Sequence, residues 1–391
     1  MIEIADRFKK VKEYYFSTKL QEIARMREEG MSVLNLGIGS PDLPPSKSTI
    51  NTLVEASHHP SNHAYQAYRS SFELRNAMAT FYQDLYGVSL KPKEEILPLL
   101  GSKEGIMYIS LAFLNPGDEV LVPNPGYPAY EAISNIVGAK VTQYDLLESN
   151  NWLPDFDALE KLELSKFKLM WVNYPNMPTG AQGSRQLFAR LIDFARRNRI
   201  LVINDNPYSL VLNDKPQSIL EIEHAKEHVL ELNSLSKSFN MSGWRVGMAL
   251  GKEKYINAIL QAKSNVDSGM FLPVQKAASE ALLLPREWHN ERNAIYSERR
   301  KMAMELIGQL GCTLSTAQVG MFLWAKIPSK YKHGRELVDR LLDEAHVFIT
   351  PGEIFGSNGD RYIRVSLASP KEDFLEGITR VIKWKEQNIL V

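Results

Sequence analysis

The middle of the chain alternates short apolar runs of strand-forming residues with segments of helical periodicity, and this alternation constrains the fold more than any other feature. The predicted strands are Glu119–Pro123, Lys168–Asn173, Ile200–Asp205, His228–Leu232 and Val246–Leu250. Between the second and third strands, Ser184–Arg197 carries Leu187, Leu191 and Phe194 on one helical face. Strands that are apolar along their length are buried on both faces, which predicts an α/β fold with a mostly parallel sheet.

The two ends of the chain have a different pattern. The first 30 residues predict a helix, with Leu20, Ile23, Ala24 and Met26 near one side and Gly30 as its end. Glu73–Tyr86 predicts another helix. After about residue 280 the pattern changes to long charged helices with a few strands, such as Tyr362–Leu367. We therefore predict an N-terminal segment, 1–45, that joins a smaller α+β domain, 281–391, beside a large domain, 46–280.

Composition excludes several classes of protein. Lys plus Arg and Asp plus Glu balance at 46 each, so net charge does not indicate nucleic acid or an anionic membrane as a partner. The single cysteine, Cys312, cannot form an intrachain disulfide, which favours a reducing compartment. The N-terminal residues mix charged and apolar side chains, unlike a signal peptide, and no run reaches the roughly 20 apolar residues of a membrane helix. We expect a soluble, cytoplasmic protein.

Polar residues follow the predicted strands where an open parallel sheet binds its ligands, at the carboxyl ends. Asn173 ends one run, Asp205 ends another, and the segment SLSK, Ser234–Lys237, follows a third. Lys237 offers an amine for a Schiff base and Asp205 a carboxylate for a ring nitrogen. These are two of the groups that the cofactor pyridoxal 5′-phosphate (PLP) requires.

Two further segments meet the other requirements of PLP. GSKEG, Gly101–Gly105, predicts a helix that starts near Lys103, whose free N–H groups and Ser102 hydroxyl can bind a phosphate. PGYPAY, Pro125–Tyr130, places an aromatic ring in a turn held by two prolines, which suits stacking on the cofactor ring. Taken singly, each motif has an ordinary structural explanation: a surface lysine, a turn aspartate, a helix cap and a buried loop anchor.

Six motifs in order resemble the class I/II aminotransferases, the fold-type I PLP enzymes related to aspartate aminotransferase. They are NLGIGSPD (Asn35–Asp42), PGYP (Pro125–Pro128), NYPNMPTG (Asn173–Gly180), DNPY (Asp205–Tyr208), SLSK (Ser234–Lys237) with Arg245, and Arg364. The resemblance spans about residues 30 to 370. It is closest to the LL-diaminopimelate aminotransferase branch, through Gly101–Ile106, Asn240–Arg245, Ser264–Gly269, Tyr296 and the pair Arg299 and Arg300.

The resemblance implies PLP as the cofactor of the large domain and assigns a role to each matching residue. Lys237 forms the Schiff base and then moves the substrate Cα proton, Asp205 pairs with the pyridine nitrogen, and Tyr208 bonds the 3′ oxygen. Tyr127 stacks on the ring. The residues implied around the phosphate are Ser102, Lys103, Ser234, Ser236, Arg245 and, from a partner subunit, Tyr65. Arg364 binds the substrate α-carboxylate with the backbone of Gly39 and with Asn173, and the shared site implies a homodimer.

Two positions depart from the family pattern. Met177 stands where the family usually has the asparagine that donates to the cofactor 3′ oxygen, and the resemblance leaves open whether Asn176 compensates. Ser70 replaces a glycine that usually precedes a Leu-Arg pair, here Leu74 and Arg75, which concerns the local backbone rather than the chemistry.

Several functions remain open at this stage. The pair Lys237 and Asp205 would also serve a PLP-dependent C–S lyase or decarboxylase, but Arg364 favours transamination because a carboxylate held in the ring plane exposes the Cα–H bond. A ligand-sensing regulator would need a DNA-binding domain before Asn35, and the segment there is too short for one. A nicotinamide-dependent enzyme is disfavoured because Gly37–Gly39 does not continue into a dinucleotide-binding helix. We expect amino acid and 2-oxo acid substrates and no metal, with 2-oxoglutarate as acceptor and diaminopimelate as one candidate donor. In that case Asn265, Asp267 and Ser268 would line a polar distal pocket.

Overall fold

The computed structural model describes residues 2–9, 11 and 13–389. Within these residues there are thirteen α-helices and twelve β-strands. The helices are α1 (Tyr15–Glu28), α2 (Lys47–Ser57), α3 (Phe72–Tyr86), α4 (Ser102–Phe113), α5 (Pro128–Ile136), α6 (Phe156–Leu159), α7 (Arg185–Asn198), α8 (Leu235–Ser238), α9 (Glu253–Lys263), α10 (Leu272–Leu282), α11 (Arg286–Gln309), α12 (Gly334–Ala345) and α13 (Lys371–Ile389). The strands are β1 (Leu34–Asn35), β2 (Ile96–Leu99), β3 (Glu119–Asn124), β4 (Lys140–Asp145), β5 (Phe167–Val172), β6 (Leu201–Asp205), β7 (Val229–Ser234), β8 (Gly247–Gly251), β9 (Phe322–Lys326), β10 (Val347–Phe348), β11 (Thr350–Pro351) and β12 (Tyr362–Ser366).

A seven-stranded sheet forms the centre of the molecule, in the order β2-β8-β7-β6-β5-β3-β4. All neighbours in it are parallel except β8, which runs antiparallel to both β2 and β7. Strands β2, β5, β6, β7 and β8 are buried along almost their whole length, as expected for a sheet covered by helices on both faces. The predicted α/β fold with a mostly parallel sheet is therefore confirmed.

The direction of each strand brings distant segments to one edge of this sheet. Strands β3, β5, β6 and β7 end there, and β2 does too because it and β7 both run opposite to β8. Since β8 is reversed, it begins at the same edge, directly after Arg245. The polar residues of the predicted motifs consequently converge, as parallel-sheet topology requires.

Helix ends explain why the segments between the strands fold locally as they do. The hydroxyl of Ser71 accepts from the N–H of Leu74 at 3.2 Å and begins α3, and Gly87 ends it with φ +67°. In the same way, the Ser184 hydroxyl accepts from the N–H of Leu187 at 3.1 Å and begins α7. Leu187, Leu191 and Phe194 are buried, as the helical periodicity predicted.

A second, smaller group of strands joins the two ends of the chain. Strands β11, β12 and β9 form an antiparallel sheet, and β1 pairs in parallel with β10. Arg364 lies on β12, and the pairing of β1 places the segment that follows it, Gly37–Gly39, beside that residue. The domain division 1–45, 46–280 and 281–391 stays a prediction.

The N-terminal helix is shorter than predicted. It begins at Tyr15 rather than near the first residue, because the stretch before it has no apolar periodicity and leaves Ile2 and Ile4 exposed. Of the four apolar residues assigned to one side, Ile23 and Met26 are buried, but Ala24 is exposed and Leu20 is 43% exposed. Among the described residues, no helix is both long and apolar enough to cross a membrane.

Candidate active site

The polar residues at the sheet edge line one cavity of about 460 Å³. Its floor is the sheet edge and its roof is formed by α1, the segment after β1, and residues of β9 and β12. The residues predicted for the site that line this cavity are Gly39, Ser102, Lys103, Tyr127, Asn173, Asp205, Tyr208, Ser234, Ser236, Lys237, Arg245 and Arg364. Of the predicted set, Tyr65 alone lies outside, with its side chain 91% exposed.

Lys237 lies on the short helix α8, directly after β7, and its ammonium group donates to the backbone carbonyl of Gly39. The pKa of Lys237 is lowered to about 8, first because burial disfavours its charged form and then because Arg364 and Arg245 lie nearby. A lysine amine needs to lose its proton before it can attack a carbonyl or accept a proton from carbon. The site therefore makes this amine a better nucleophile and base near neutral pH.

Asp205 ends β6 and is buried, with only one of its two carboxylate oxygens paired. Its Oδ2 accepts from the hydroxyl of Tyr130 at 2.9 Å, whereas Oδ1 is buried with no partner. Desolvation raises the pKa of Asp205 to about 7, although the Tyr130 hydrogen bond opposes that rise. A cationic group that donates a hydrogen bond to Oδ1 would lower the pKa of Asp205 and favour the ionised carboxylate. A protonated ring nitrogen is a group of this kind.

The N-terminus of α4 and the Arg245 guanidinium face each other. A Cβ at Gly101 would lie 2.0 Å from Nη2 of Arg245, which shows how closely the guanidinium approaches the start of α4, and the φ of +87° at Gly101 favours glycine. Arg245 also has a left-handed backbone, φ +57°, and its Nη1 donates to the carbonyl of Ser242 at 2.8 Å. The free N–H groups of the helix start and a nearby cation are the elements of a phosphate site.

Two serines and a lysine complete this phosphate site. The Ser234 hydroxyl caps α8 by accepting from the N–H of Ser236 at 3.1 Å and donates to the Ser236 hydroxyl at 2.9 Å. Burial and the neighbouring Arg245 lower the pKa of Lys103. Arg245 is close enough to disfavour the charged form of Lys103, and a phosphate between the two side chains would remove that cost.

Two tyrosines lie between the phosphate site and Asp205. Tyr127 precedes α5, and Tyr208 follows β6 by three residues. Burial raises the pKa of both phenols well above the usual value, and the Asp205 carboxylate raises them further. Both therefore stay protonated and can donate a hydrogen bond, which is what a ring oxygen near Tyr208 would require.

Arg364 is 3% exposed and has no carboxylate partner among the described residues. Its Nη2 donates to the carbonyl of Gly37 at 2.8 Å, its Nη1 lies 3.3 Å from the Met177 sulfur, and its buried Nε has no partner. Burial lowers the pKa of Arg364 to about 10. An unpaired buried guanidinium favours a bound anion, and its planar fork fits a carboxylate.

The motif with the unusual Met177 orders its own loop. The Asn173 side chain donates to the carbonyl of Asp205 at 2.5 Å and accepts from the N–H of Met177 at 2.7 Å. Asn176 is not among the residues that line the cavity. Its Oδ1 accepts from the Thr179 hydroxyl at 2.7 Å, whereas its buried Nδ2 has no partner among the described residues. The other unusual residue, Ser70, has a left-handed backbone, with φ +61°, which is a conformation that glycine adopts more readily than serine.

PLP fits this set of residues. The unpaired Asp205 Oδ1 suits the pyridinium, the cradle between Gly101 and Arg245 suits the phosphate, and the Lys237 amine lies in the same cavity. These groups are therefore of the types that the ring nitrogen, the phosphate and the aldehyde of PLP require.

Sequence reasoning missed several residues of the cavity. Tyr130 was overlooked as the partner of Asp205, although it lies in the PGYPAY motif and stacks on Trp171 with centroids 5.0 Å apart. Tyr14, Phe16 and Leu20 line the cavity and belong to no recognised motif. Asn265, Asp267 and Ser268 do not line the cavity of their own chain, so the polar distal pocket is not found there.

The chain is similar to proteins of known activity over almost its whole length. The family model for aminotransferase class I and II matches residues 31–382. The LL-diaminopimelate aminotransferase of Aquifex aeolicus is 39% identical over 383 residues, 97% of this chain and 99% of that one. Transaminase BacF of Bacillus subtilis is 40% identical over 370 residues, 94% and 93% of the two chains. Its substrate-bound structure superposes with a TM-score of 0.94, at 39% identity over 98% of each chain.

A more distant structure supports the fold alone. Aspartate aminotransferase of Thermus thermophilus, 24% identical over 98% of this chain and all of that one, superposes with a TM-score of 0.90. The fold is therefore that of the aspartate aminotransferase-like proteins. Relatives over the full length are named as aminotransferases or transaminases, so the C–S lyase or decarboxylase alternative is not favoured.

Proposed function

Because the chain belongs to the class I and II aminotransferases, which are PLP-dependent transaminases, we propose that the cavity at the sheet edge is its active site and that Lys237 is the lysine that links the cofactor. The observation that carries this proposal is the convergence of four elements in one cavity. These are the Lys237 amine, the unpaired oxygen of Asp205, the Gly101–Arg245 cradle and the unpaired guanidinium of Arg364. They lie on β6 and β12, just after β2 and β7, and just before β8, which are far apart in sequence.

Bound PLP supplies an electron sink for the pair left behind when the substrate Cα–H bond breaks. Asp205 would keep the ring nitrogen protonated through its free oxygen, with Tyr130 holding the carboxylate in place. Tyr208 would donate to the ring oxygen, and Tyr127 would stack on the ring. Ser102, Lys103, Ser234, Ser236 and Arg245 would hold the phosphate.

Two residues act on the substrate itself. Arg364 binds the α-carboxylate through guanidinium N–H groups that have no protein partner, beside the backbone of Gly37–Gly39. This binding orients the Cα–H bond toward Lys237, whose amine takes the proton when that bond breaks. Asn173 supports the site by ordering the loop of Met177 and is left with one donor and one lone pair for a substrate.

The experiment is a set of half-reactions between the purified PLP form and single amino acids, followed by the loss of cofactor absorbance. Wild-type protein should react with at least one common amino acid, and Lys237→Ala should not. Lys252→Ala, at an exposed lysine paired with Glu227, is the matched control and should react like wild type. Failure of every amino acid to react would overturn the proposal.

We further propose a homodimer whose active sites are shared. An exposed apolar patch supports this: Tyr65 is 91% exposed, Val266 68%, Tyr68 47% and Phe271 43%. The patch is continuous, because a Cβ at Gly269 would lie 2.6 Å from the carbonyl oxygen of Gln66. Exposed apolar clusters of this kind mark protein interfaces. In the dimer Tyr65 reaches the phosphate site of the partner.

Two measurements test the dimer. Light scattering after size exclusion should give twice the mass of the 44.4 kDa chain. Tyr65→Phe should weaken PLP binding without changing this mass, since it removes only a hydroxyl. A monomer that binds PLP with full affinity would overturn the proposal.

The donor amino acid is not decided by the relatives. Proteins at the same level of identity to this chain carry the names LL-diaminopimelate aminotransferase and transaminase BacF. We therefore keep an amino acid donor with 2-oxoglutarate as acceptor, and diaminopimelate as one candidate.

A further inference from the structure

We propose that the amino donor has an uncharged apolar side chain, aromatic or long and aliphatic, that binds against the N-terminal part of α1. This inference rests on the proposed function, since it places the substrate by Arg364 and Lys237. The surface that receives the side chain, called the substrate wall below, consists of Tyr14, Phe16, Leu20, Ile38, Phe322 and Phe355.

The position of the substrate follows from its two fixed ends. Its α-carboxylate lies at Arg364 and its Cα lies within reach of Lys237. Both residues contact the segment Gly37–Gly39, through the carbonyls of Gly37 and Gly39 respectively. In the proposed function the cofactor occupies the side of the cavity at the sheet edge, so the substrate side chain leaves this point toward the roof.

Apart from the Arg364 guanidinium and the hydroxyls of Ser17 and Ser40, that roof is aromatic and aliphatic. The Arg364 guanidinium carbon lies 4.0 Å from the ring centroid of Phe322, 4.7 Å from that of Phe355 and 5.3 Å from that of Phe16. The α-carboxylate site is thus surrounded by three phenyl rings and the Met177 sulfur. Such surfaces gain free energy when they cover an apolar side chain and lose it when they desolvate a charge.

The substrate wall is held in place by the cofactor site. The Lys103 ammonium lies 4.5 Å from the ring centroid of Tyr14, and Tyr14 interacts with Tyr127. On the other side, Phe322 packs edge-on against Tyr208 at 5.6 Å. The wall is therefore a fixed surface beside the cofactor.

The charged side chains of the cavity leave nothing for a second charged group. Among the described residues its lining contains five charged side chains, namely Lys103, Asp205, Lys237, Arg245 and Arg364. Each already serves the cofactor or the α-carboxylate in the proposed function. Diaminopimelate carries a second ammonium and a second carboxylate, and burying both without partners is unfavourable.

The carboxylate offered by the Ser264–Gly269 segment is also committed. Both oxygens of Asp267 accept from the Lys263 ammonium at 2.7 Å, and Oδ1 also accepts from the N–H of Gly269 at 2.8 Å. If a partner subunit contributed this segment to the cavity, the charge of its Asp267 would already be neutralised by Lys263. A distal ammonium would gain little from it.

Binding of unreactive carboxylic acids to the wild-type holoenzyme tests the wall without turnover. Titration calorimetry should show 3-phenylpropionate binding at least about tenfold more tightly than glutarate or adipate, with a negative heat-capacity change from apolar burial. Equal affinities, or tighter binding of the diacids, would overturn the proposal.

Half-reactions separate this inference from the proposed function. Phenylalanine, leucine or methionine should convert the PLP form at least about tenfold faster than LL-diaminopimelate at equal concentration. Faster reaction of LL-diaminopimelate would overturn the apolar donor but leave the aminotransferase intact. If no amino acid reacts, the proposed function itself fails.

A charge placed on the wall gives a second, residue-level test. Leu20 is 43% exposed, so Leu20→Arg should fold normally, yet it brings a cation to the cavity. We expect the ratio of the phenylalanine rate to the 2-aminoadipate rate to fall at least about tenfold, because the cation penalises the ring and pairs with the second carboxylate. Leu375→Arg, at a leucine 50% exposed on α13, is the matched control and should keep the wild-type ratio. An unchanged ratio in Leu20→Arg would overturn the proposal.

Discussion

The two sides of the cavity are built on different principles. The side at the sheet edge, called the cofactor wall below, carries Asp205, Lys237 and the Gly101–Arg245 cradle, and each residue meets a defined atom type. The substrate wall opposite it consists of apolar side chains such as Phe16 and Leu20, which pack against a substrate side chain rather than form specific hydrogen bonds with it. A fixed cofactor requires fixed residues at fixed strand ends, whereas a substrate side chain can be received by many combinations of apolar residues.

This difference separates reaction type from substrate choice. Relatives near 40% identity share the reaction named for their family but not the same substrate name. On the cofactor wall a single substitution should therefore remove activity toward every amino acid. On the substrate wall it should change the order of preference among them. The predictions below test the first half of this contrast, from the largest effect to the smallest.

Lys237→Ala should have the largest effect. It removes both the covalent link to PLP and the base for the Cα proton, so turnover should fall by more than about 10⁴-fold. PLP should still bind noncovalently, because the phosphate site is intact. Borohydride reduction of the wild-type protein followed by peptide mapping should label Lys237, and a label on another lysine would contradict the assignment.

Asp205→Ala should have the second-largest effect on turnover. Loss of one partner of a buried ion pair costs about 3–5 kcal/mol, or two to four powers of ten in rate when it affects the transition state. The loss should be similar for apolar and charged donors, since the ring nitrogen is common to all. Steady-state kinetics with two unlike amino acids measures it, and near-normal activity would remove Asp205 from the mechanism.

Arg364→Lys tests the residue at which the two walls meet. A lysine keeps the charge but not the planar fork, so affinity for amino acids and oxo acids should fall about 10- to 100-fold while PLP stays bound. The decrease should be uniform across substrates if Arg364 binds the α-carboxylate. A decrease confined to dicarboxylic substrates would instead place Arg364 at the side-chain pocket.

The pKa of Lys237 predicts how cofactor uptake depends on pH. Because burial lowers this pKa to about 8, the neutral amine is scarce below pH 8 and predominates above it. The rate of covalent PLP uptake by the apoprotein should therefore rise about tenfold per pH unit up to about pH 8 and then level off. Stopped-flow absorbance measures this rate. A plateau reached only above pH 10 would show an ordinary lysine.

The same contrast explains what could be predicted from the sequence. Of the residues predicted for the site, all but Tyr65 line one cavity. Strand ends, Gly-Ser turns and a lysine after a buried strand have local sequence signals, and the resemblance to the family supplied the rest. Tyr130 was missed although it lies in a recognised motif, since its bond to Asp205 joins residues 75 positions apart. Apart from Ile38, which lies in the NLGIGSPD motif, the members of the substrate wall belong to no recognised motif. They come from the start of α1, the segment after β1, β9 and the turn after β11, and they meet through contacts between segments that are far apart in sequence, such as that of Phe16 with Phe355.

Met177 gives the smallest and most specific test, because it is an apolar residue at a position where the cofactor wall would be expected to carry a donor. Its sulfur lies 3.3 Å from Nη1 of Arg364 and cannot donate to the cofactor 3′ oxygen. Met177→Asn would supply a donor there, withdraw charge from that oxygen and weaken its hold on the neighbouring proton. The pH at which the holoenzyme spectrum changes should therefore fall by about half to one unit, since a hydrogen bond contributes about 0.5–1.5 kcal/mol and one pKa unit is 1.36 kcal/mol. Spectroscopic titration of both proteins measures this shift, with Met304→Asn as a control outside the cavity lining. No shift would mean that Tyr208 or a water already supplies the donor, and that the cofactor wall, like the substrate wall, tolerates an apolar replacement.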